Sequence, residues 1–361
     1  MQTDSLPVNT NPNALDVTRK MTRYRASIWT LLILAPVIAE VLSGATRLSI
    51  LFVLIPEIMV WGGGALLARE LVRRWRAGGT SLLCLGLALS IAEEFIIQQT
   101  SIAPMPFPGV QEFTGRYLGV NWLYFLFMLG YESVWVVLVP VQVTELIFPE
   151  RRESPWLRTR GIIATIVAFL VGSRIAWFGW TQKARPQLHA APYQPPAILI
   201  VLGLMAIAGL IWMAWLLRGS GHLRKIDSRR VANPWIIGIT GFVFGTAWFA
   251  LISVIFIPHR AVAVWISFIA GPIWAFFCFA LVRFWSRSRG WGDWHRFAIC
   301  FGAVFGCMAI SDATYAGWTR TDLIAKFVFQ VLAVAGLVWL GRKIWRRELA
   351  IRSLDGTVSV D

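Results

Sequence analysis

The chain has 361 residues, of which 57% are hydrophobic and only 15% charged, and its mean hydropathy is +0.62. Soluble globular domains carry about 25% charged residues, so a water-soluble domain architecture is excluded. The net charge of +15 would suit nucleic acid, but the Lys and Arg residues lie in short loops beside apolar runs, which makes the charge a matter of membrane topology and argues against a nucleic-acid partner.

Residues 1–25 are polar, with Pro7 and Pro12 among Asn and Thr, and read as a disordered cytoplasmic tail. The first apolar run follows Arg19, Lys20, Arg23 and Arg25 and carries Glu40, which suits a signal-anchor helix better than a cleaved signal peptide. Ten apolar spans then follow, at about 27–44, 47–68, 80–99, 119–141, 160–178, 196–217, 234–257, 262–284, 296–315 and 322–341. Runs of this kind can cross a hydrocarbon core of about 30 Å. The expected fold is an all-α polytopic bundle of about ten transmembrane helices over 26–341. A basic, then polar, cytoplasmic tail over 342–361 completes the chain.

Charge orients the bundle. The N-terminal tail and every second loop carry four or five Lys and Arg each, for example Arg69, Arg73, Arg74 and Arg76, or Arg283, Arg287, Arg289 and Arg296. The positive-inside rule assigns these segments to the cytoplasm. Both termini are then cytoplasmic and the protein is a multi-pass component of the cytoplasmic (inner) membrane. A missed or extra helix would break the alternation from that point on.

Several features have bland readings. Cys84, Cys278, Cys300 and Cys307 lie within apolar runs without metal-ligand spacing, so no metal and no cofactor is expected. Many of the 20 tryptophans, such as Trp122, Trp177 and Trp235, sit near span ends as an interfacial belt. Gly241-x-x-x-Gly245 and Gly302-x-x-x-Gly306 predict close helix contacts within the chain, and oligomeric state is left open. His259 and His295 read as loop residues. Glu70 is expected to pair with Arg73 or Arg74, and Glu145 to be handled in the same way. Residues 65–94 loosely parallel 279–312, as an internal repeat would.

The informative residues are acids inside the spans: Glu40, Glu57, Glu93, Glu94, Glu132 and Asp312, with Arg174 as a cation at similar depth. Ionisable groups there are costly and normally face a bundle interior or a wet cavity. At 1.5 Å per residue, Glu40, Glu93, Glu94, Arg174 and Asp312 lie roughly 5–8 Å inside the outer ends of their helices, and Glu57 and Glu132 roughly 15–20 Å. Helices of opposite direction thus place acids in one slab, and a polar cavity among the first five spans, open to the non-cytoplasmic side, is expected. Ser90, Glu94 and Gln98 form one stripe, and Met128, Glu132 and Trp135 share a face. Pro36 and Pro56 precede Glu40 and Glu57 and should loosen the backbone there. Crowded carboxylates cannot all ionise, so the cluster can carry protons or bind a cation.

The blocks Ala35-Pro36-x-x-Ala39-Glu40, Gly62-Gly63-Gly64-Ala65-Leu66-Leu67-Ala68-Arg69-Glu70, Arg73-Arg74-Trp75 and Ala92-Glu93-Glu94 resemble an uncharacterised group of prokaryotic polytopic membrane proteins, a resemblance that implies no activity. Glu93-Glu94 followed by Gln98 also resembles the Glu-Glu-x-x-x-Arg motif of the CAAX-processing and bacteriocin-processing intramembrane proteases, with Gln98 where that family has Arg and without its helical histidines. The acids point to a secondary transporter or permease binding a proton, cation or small molecule. A non-catalytic membrane scaffold and a glutamate-dependent intramembrane hydrolase are the alternatives. No nucleotide-binding signature is present.

Overall fold

The computed structural model describes residues 25–106, 115–219, 231–256, 264–312 and 318–357. The tail before residue 25 and His259 lie outside them. Ten helices run through the described residues: α1 (25–41), α2 (Leu48–Arg74), α3 (Gly79–Ile97), α4 (Trp122–Ile147), α5 (Thr159–Gln187), α6 (Ala197–Leu216), α7 (Pro234–Phe256), α8 (Val264–Ser286), α9 (Asp293–Ser311) and α10 (Arg320–Thr357). Nine of them are long and apolar enough to cross a membrane, and α1 is slightly shorter. Among the described residues strand is confined to a two-stranded hairpin, Arg116–Tyr117 with Val120–Asn121, turned through Leu118 and Gly119 at φ 50° and 82°. Two positive φ values in succession match the twist of an antiparallel pair.

The exterior is apolar where a soluble protein's would be polar. Ile163 and Leu170 on α5, Met205 and Trp212 on α6, Phe276 on α8 and Leu332 on α10 are all exposed. Surfaces of this kind are a liability in water and the ordinary condition in lipid, where helices satisfy their own backbone groups.

α4 is the hub, with α1, α3, α7, α8 and α9 packed around it. Small residues set the closest approaches. A side chain at Gly86 would meet the Ser133 backbone at 3.1 Å, and one at Gly241 the Ile299 carbonyl at 2.6 Å. Gly302 lies against the Gly238 carbonyl and Gly306 against that of Phe242. The two small-x-x-x-small motifs therefore face each other, and α7–α9 is the most extensive helix pair. Gly302→Leu is expected to pry these helices apart and lower the thermal unfolding midpoint by several degrees in detergent, whereas Gly336→Leu on α10, with open space around it, should leave the midpoint unchanged.

Two expectations are revised. α10 continues through the basic segment beyond residue 341 because Lys343 and Arg347 donate to the carbonyls of Ile147 and Leu146 at 3.0 and 2.9 Å. Those are orphan acceptors at the end of α4, and basic side chains are suited to satisfy them. The loose repeat is not echoed in packing either: α2 and α3 lie along each other, whereas α8 leans on α4 and α7.

Candidate functional site

The interior acids coincide with local widening of the helices. Glu40 lies in a π-helical turn, Val37–Val41; Glu93 and Glu94 lie in another, Ala92–Ile97; Glu132 opens a third, Glu132–Leu138; Glu57 immediately precedes a fourth, Ile58–Gly62. In such turns the backbone closes over five residues, as in Leu42 N–H to the Val37 carbonyl at 3.0 Å and Gln98 N–H to that of Glu93 at 2.8 Å. One residue is inserted per π turn, and such insertions concentrate at functional sites. Pro140 lacks the N–H that would close an ordinary turn onto Val136, which accounts locally for the widening in α4, whereas Pro36 only precedes the wide turn of α1. The turn in α3 has no proline to announce it.

The side chains converge where α1, α2, α3 and α4 meet. Glu40 is within electrostatic reach of Glu57 and Glu94, Glu93 of Glu94, Glu40 and Glu57, and Glu132 of Glu93 and Glu94. Glu57, Glu93, Glu94 and Glu132 are each 1–3% exposed, and Glu40 is partly exposed. The hydroxyl of Thr46 donates to Glu57, and that of Ser101 to Glu94 at 2.6 Å. Tyr131 from α4 donates to the Ala39 carbonyl inside the π turn of α1. Both carboxylate oxygens of Glu93, and one each of Glu57 and Glu132, have no hydrogen-bond partner among the described residues.

A loop closes the end of this cluster that lies next to the hairpin. Asn121 of the hairpin donates to the carbonyls of Thr100 and Ala103 at 3.1 and 2.8 Å, and Arg116 to those of Ile102 and Ala103 at 2.9 and 3.2 Å. These bonds fix residues 100–103 over α3 and hold Ser101 against Glu94. Where the sequence predicts an open outer cavity, the structure has a covered cluster of acids, of which Glu40 is the most accessible.

The other expected members stand apart. Arg174 is exposed on α5, with its guanidinium 4.3 Å from the Trp177 ring, and does not neutralise the cluster. Asp312 pairs with Lys326 at 3.2 Å and accepts from Gln330 at 2.8 Å. Gln98 contributes its backbone N–H to the π turn, and its side chain is half-buried. Trp135 does not share the Glu132 surface. It stacks on Tyr131 and donates to the Ala303 carbonyl of α9 at 3.1 Å, while Glu132 turns to α3. Thr46, Ser101 and Tyr131 carried no sequence signal: the first two are loop hydroxyls, and the third is one aromatic among many.

The opposite end of the bundle shows what satisfied acids look like in this protein. Glu145 takes Arg69 at 3.0 Å and both oxygens take Arg73 at 2.7 Å. Arg69 also donates to the carbonyls of Arg151, Arg152 and Ser154, and lies 3.4 Å from the Trp156 ring centre. Glu70 pairs with Arg74 at 2.9 Å and accepts the backbone N–H groups of Trp156 and Leu157. The Arg69-Glu70 dipeptide therefore clamps the 151–157 loop, in line with the structural reading of Glu70 and Glu145.

An all-α, multi-pass membrane bundle with an interior carboxylate cluster is the class these features define. The chain belongs to a family described as an uncharacterized membrane protein family, whose model matches residues 30–351. No curated protein and no solved structure matches it significantly. The resemblance seen in the first hundred residues thus extends across nearly the whole chain. Nothing in the comparisons extends the likeness to the CAAX-processing proteases. Among the described residues no group of three or more His, Cys, Asp or Glu is placed to hold a metal ion. His295 sits at the arginine-rich end, stacked on Trp291.

Proposed function

We propose that the protein is a secondary transporter or permease in which Glu93, with Glu40, Glu57, Glu94 and Glu132, forms a site for exchangeable protons. The observation that carries this reading is Glu93: a side chain 2% exposed and among four further carboxylates, with neither a hydrogen-bond partner for its oxygens nor a basic neighbour among the described residues. An anion there would go uncompensated, which is costly, whereas a proton removes the cost. Arg174, Gln98 and Asp312 are peripheral in this reading. The π turns supply backbone that can rearrange, and Glu40, the partly exposed member, connects the cluster to its surroundings. The arginine-rich end faces the cytoplasm in this proposal, with both termini on that side of the inner membrane.

A lipophilic carbodiimide reacts with protonated carboxyl groups in apolar surroundings and tests the site directly. Treatment of the purified protein near pH 7 is expected to label Glu93 or Glu94, as located by peptide mass spectrometry, and to spare Glu70 and Glu145, which are ion-paired with arginines. Labelling should disappear in Glu93→Gln/Glu94→Gln. Unlabelled cluster acids, or equal labelling of Glu145, would sink the proton-site reading. The balance would then shift to a membrane scaffold, a reading for which the hydroxyl partners of Glu57 and Glu94 speak.

A further inference from the structure

A second interior space lies on the far side of α4 from the carboxylates. It is a cavity of about 1580 Å³ bounded by α3, α4, α7, α8 and α9. Drug-sized ligands occupy about 300–1,000 Å³, so this space suits something larger. It touches α4 from Gln142 to Leu126, a length of roughly 24 Å at 1.5 Å per residue, most of the way through a bilayer core. The cavity exists because α8 rests on α4 and α7 through its outer half, where Leu126 meets Gly271 and Trp274 reaches the Phe244 carbonyl. Towards the arginine-rich end α8 forms the far wall of the space.

The two ends of this cavity differ in chemistry. The deep part is lined by Leu87, Leu126, Leu129, Trp248, Trp274 and Phe279. The mouth carries Arg76, Arg283, Arg287 and Arg296, and none of these four makes an ion pair among the described residues. Nearby acids are already engaged: Glu145 by Arg69 and Arg73, Asp293 by Arg152 at 2.7 Å, and Glu70 by Arg74. Glu153 at the rim offsets one charge, 3.8 Å from Arg73. Arg296 faces Arg152 and Arg73 together with Asp293 and Glu145, the acids those two arginines already pair with. The mouth is therefore short of negative charge, and the depth is short of apolar atoms to fill it.

We propose that this cavity binds one anionic amphiphile, a lipid with a phosphate headgroup at the four arginines and an extended hydrocarbon tail along Leu129 and Trp248. Guanidinium groups recognise phosphate oxygens through paired donors, and basic pockets between membrane helices take anionic lipid headgroups. Each buried methylene adds about 0.8 kcal/mol, so the tail selects against water-soluble phosphates. The site stands or falls independently of proton exchange at Glu93, since no residue of that cluster lines it.

The test is native mass spectrometry of the delipidated protein in detergent. The probes are dioleoyl phosphatidic acid, dioleoyl phosphatidylcholine with the same tails, and glycerol 3-phosphate as headgroup alone. Phosphatidic acid is expected to be retained at least about tenfold better than either of the others. Arg283→Gln/Arg287→Gln should weaken its retention by about tenfold, and Ala275→Trp, which fills the apolar part from α8, should abolish it. A thermal unfolding midpoint within a few degrees of wild type shows that each variant is folded. Equal retention of the two lipids, displacement by glycerol 3-phosphate, or retention unchanged in both folded variants would overturn the proposal.

Discussion

Glu145→Ala is expected to cost the protein about 3–5 kcal/mol of stability, the usual penalty for removing one partner of a buried ion pair. Glu145 and Arg69 are each 1% exposed at the side chain, and Arg73 is 15% exposed. Their attraction is therefore little screened, and the alanine variant would leave two guanidinium groups facing each other at the junction of α2 and α4. Arg69 also fastens the 151–157 loop through three carbonyls, so the loop should loosen with it. Unfolding in mixed micelles against a denaturing detergent measures the cost, and protease cutting between Arg151 and Arg158 reports the loop. Glu153→Ala, whose side chain is 76% exposed and 3.8 Å from Arg73, is the matched control and should change stability little, as rim ion pairs do. A Glu145 variant as stable as this control would mean that the clamp is not what holds the two helices.

The ten helices were legible because lipid demands long apolar runs and charge alternation counts them. The convergence of Glu40, Glu57, Glu93, Glu94 and Glu132 was legible for a similar reason: acids at matching depth in neighbouring helices have few places to go. Four things could not be read. Arg174 looked like a counter-ion because depth along a helix is set by sequence, whereas facing is set by packing, and α5 presents that side outward. Trp135 and Glu132 were placed on one face by a period of 3.6, which fails across a π turn because the inserted residue rotates everything after it. The cover over Glu94 depends on Asn121 reaching back 21 and 18 residues to Thr100 and Ala103, contacts with no periodic signature. The large cavity was invisible for a different reason: it is a space between helices, and its arginines had already been explained as topology signals.

The two groups of acids differ in what neutralising them should do. At Glu145 the negative charge is needed, because two arginines depend on it. At Glu93 no positive charge depends on it, and Glu93→Gln keeps the size and supplies an amide that can donate to neighbouring carboxyl oxygens. That variant is expected to fold with a midpoint equal to or above that of wild type and yet to lose at least tenfold in proton movement, a factor that corresponds to about 1.4 kcal/mol or more. Proteoliposomes with a trapped pH dye and an imposed potassium diffusion potential provide the measurement, with Glu57→Gln as a second variant because Thr46 can still donate to its carbonyl. Lost proton movement with intact folding in Glu93→Gln assigns the exchangeable proton to the centre of the cluster. A Glu93 variant that is severely destabilised while the Glu57 one moves protons normally would instead make the carboxylates part of the packing of α1 to α4, and the transport reading would fall.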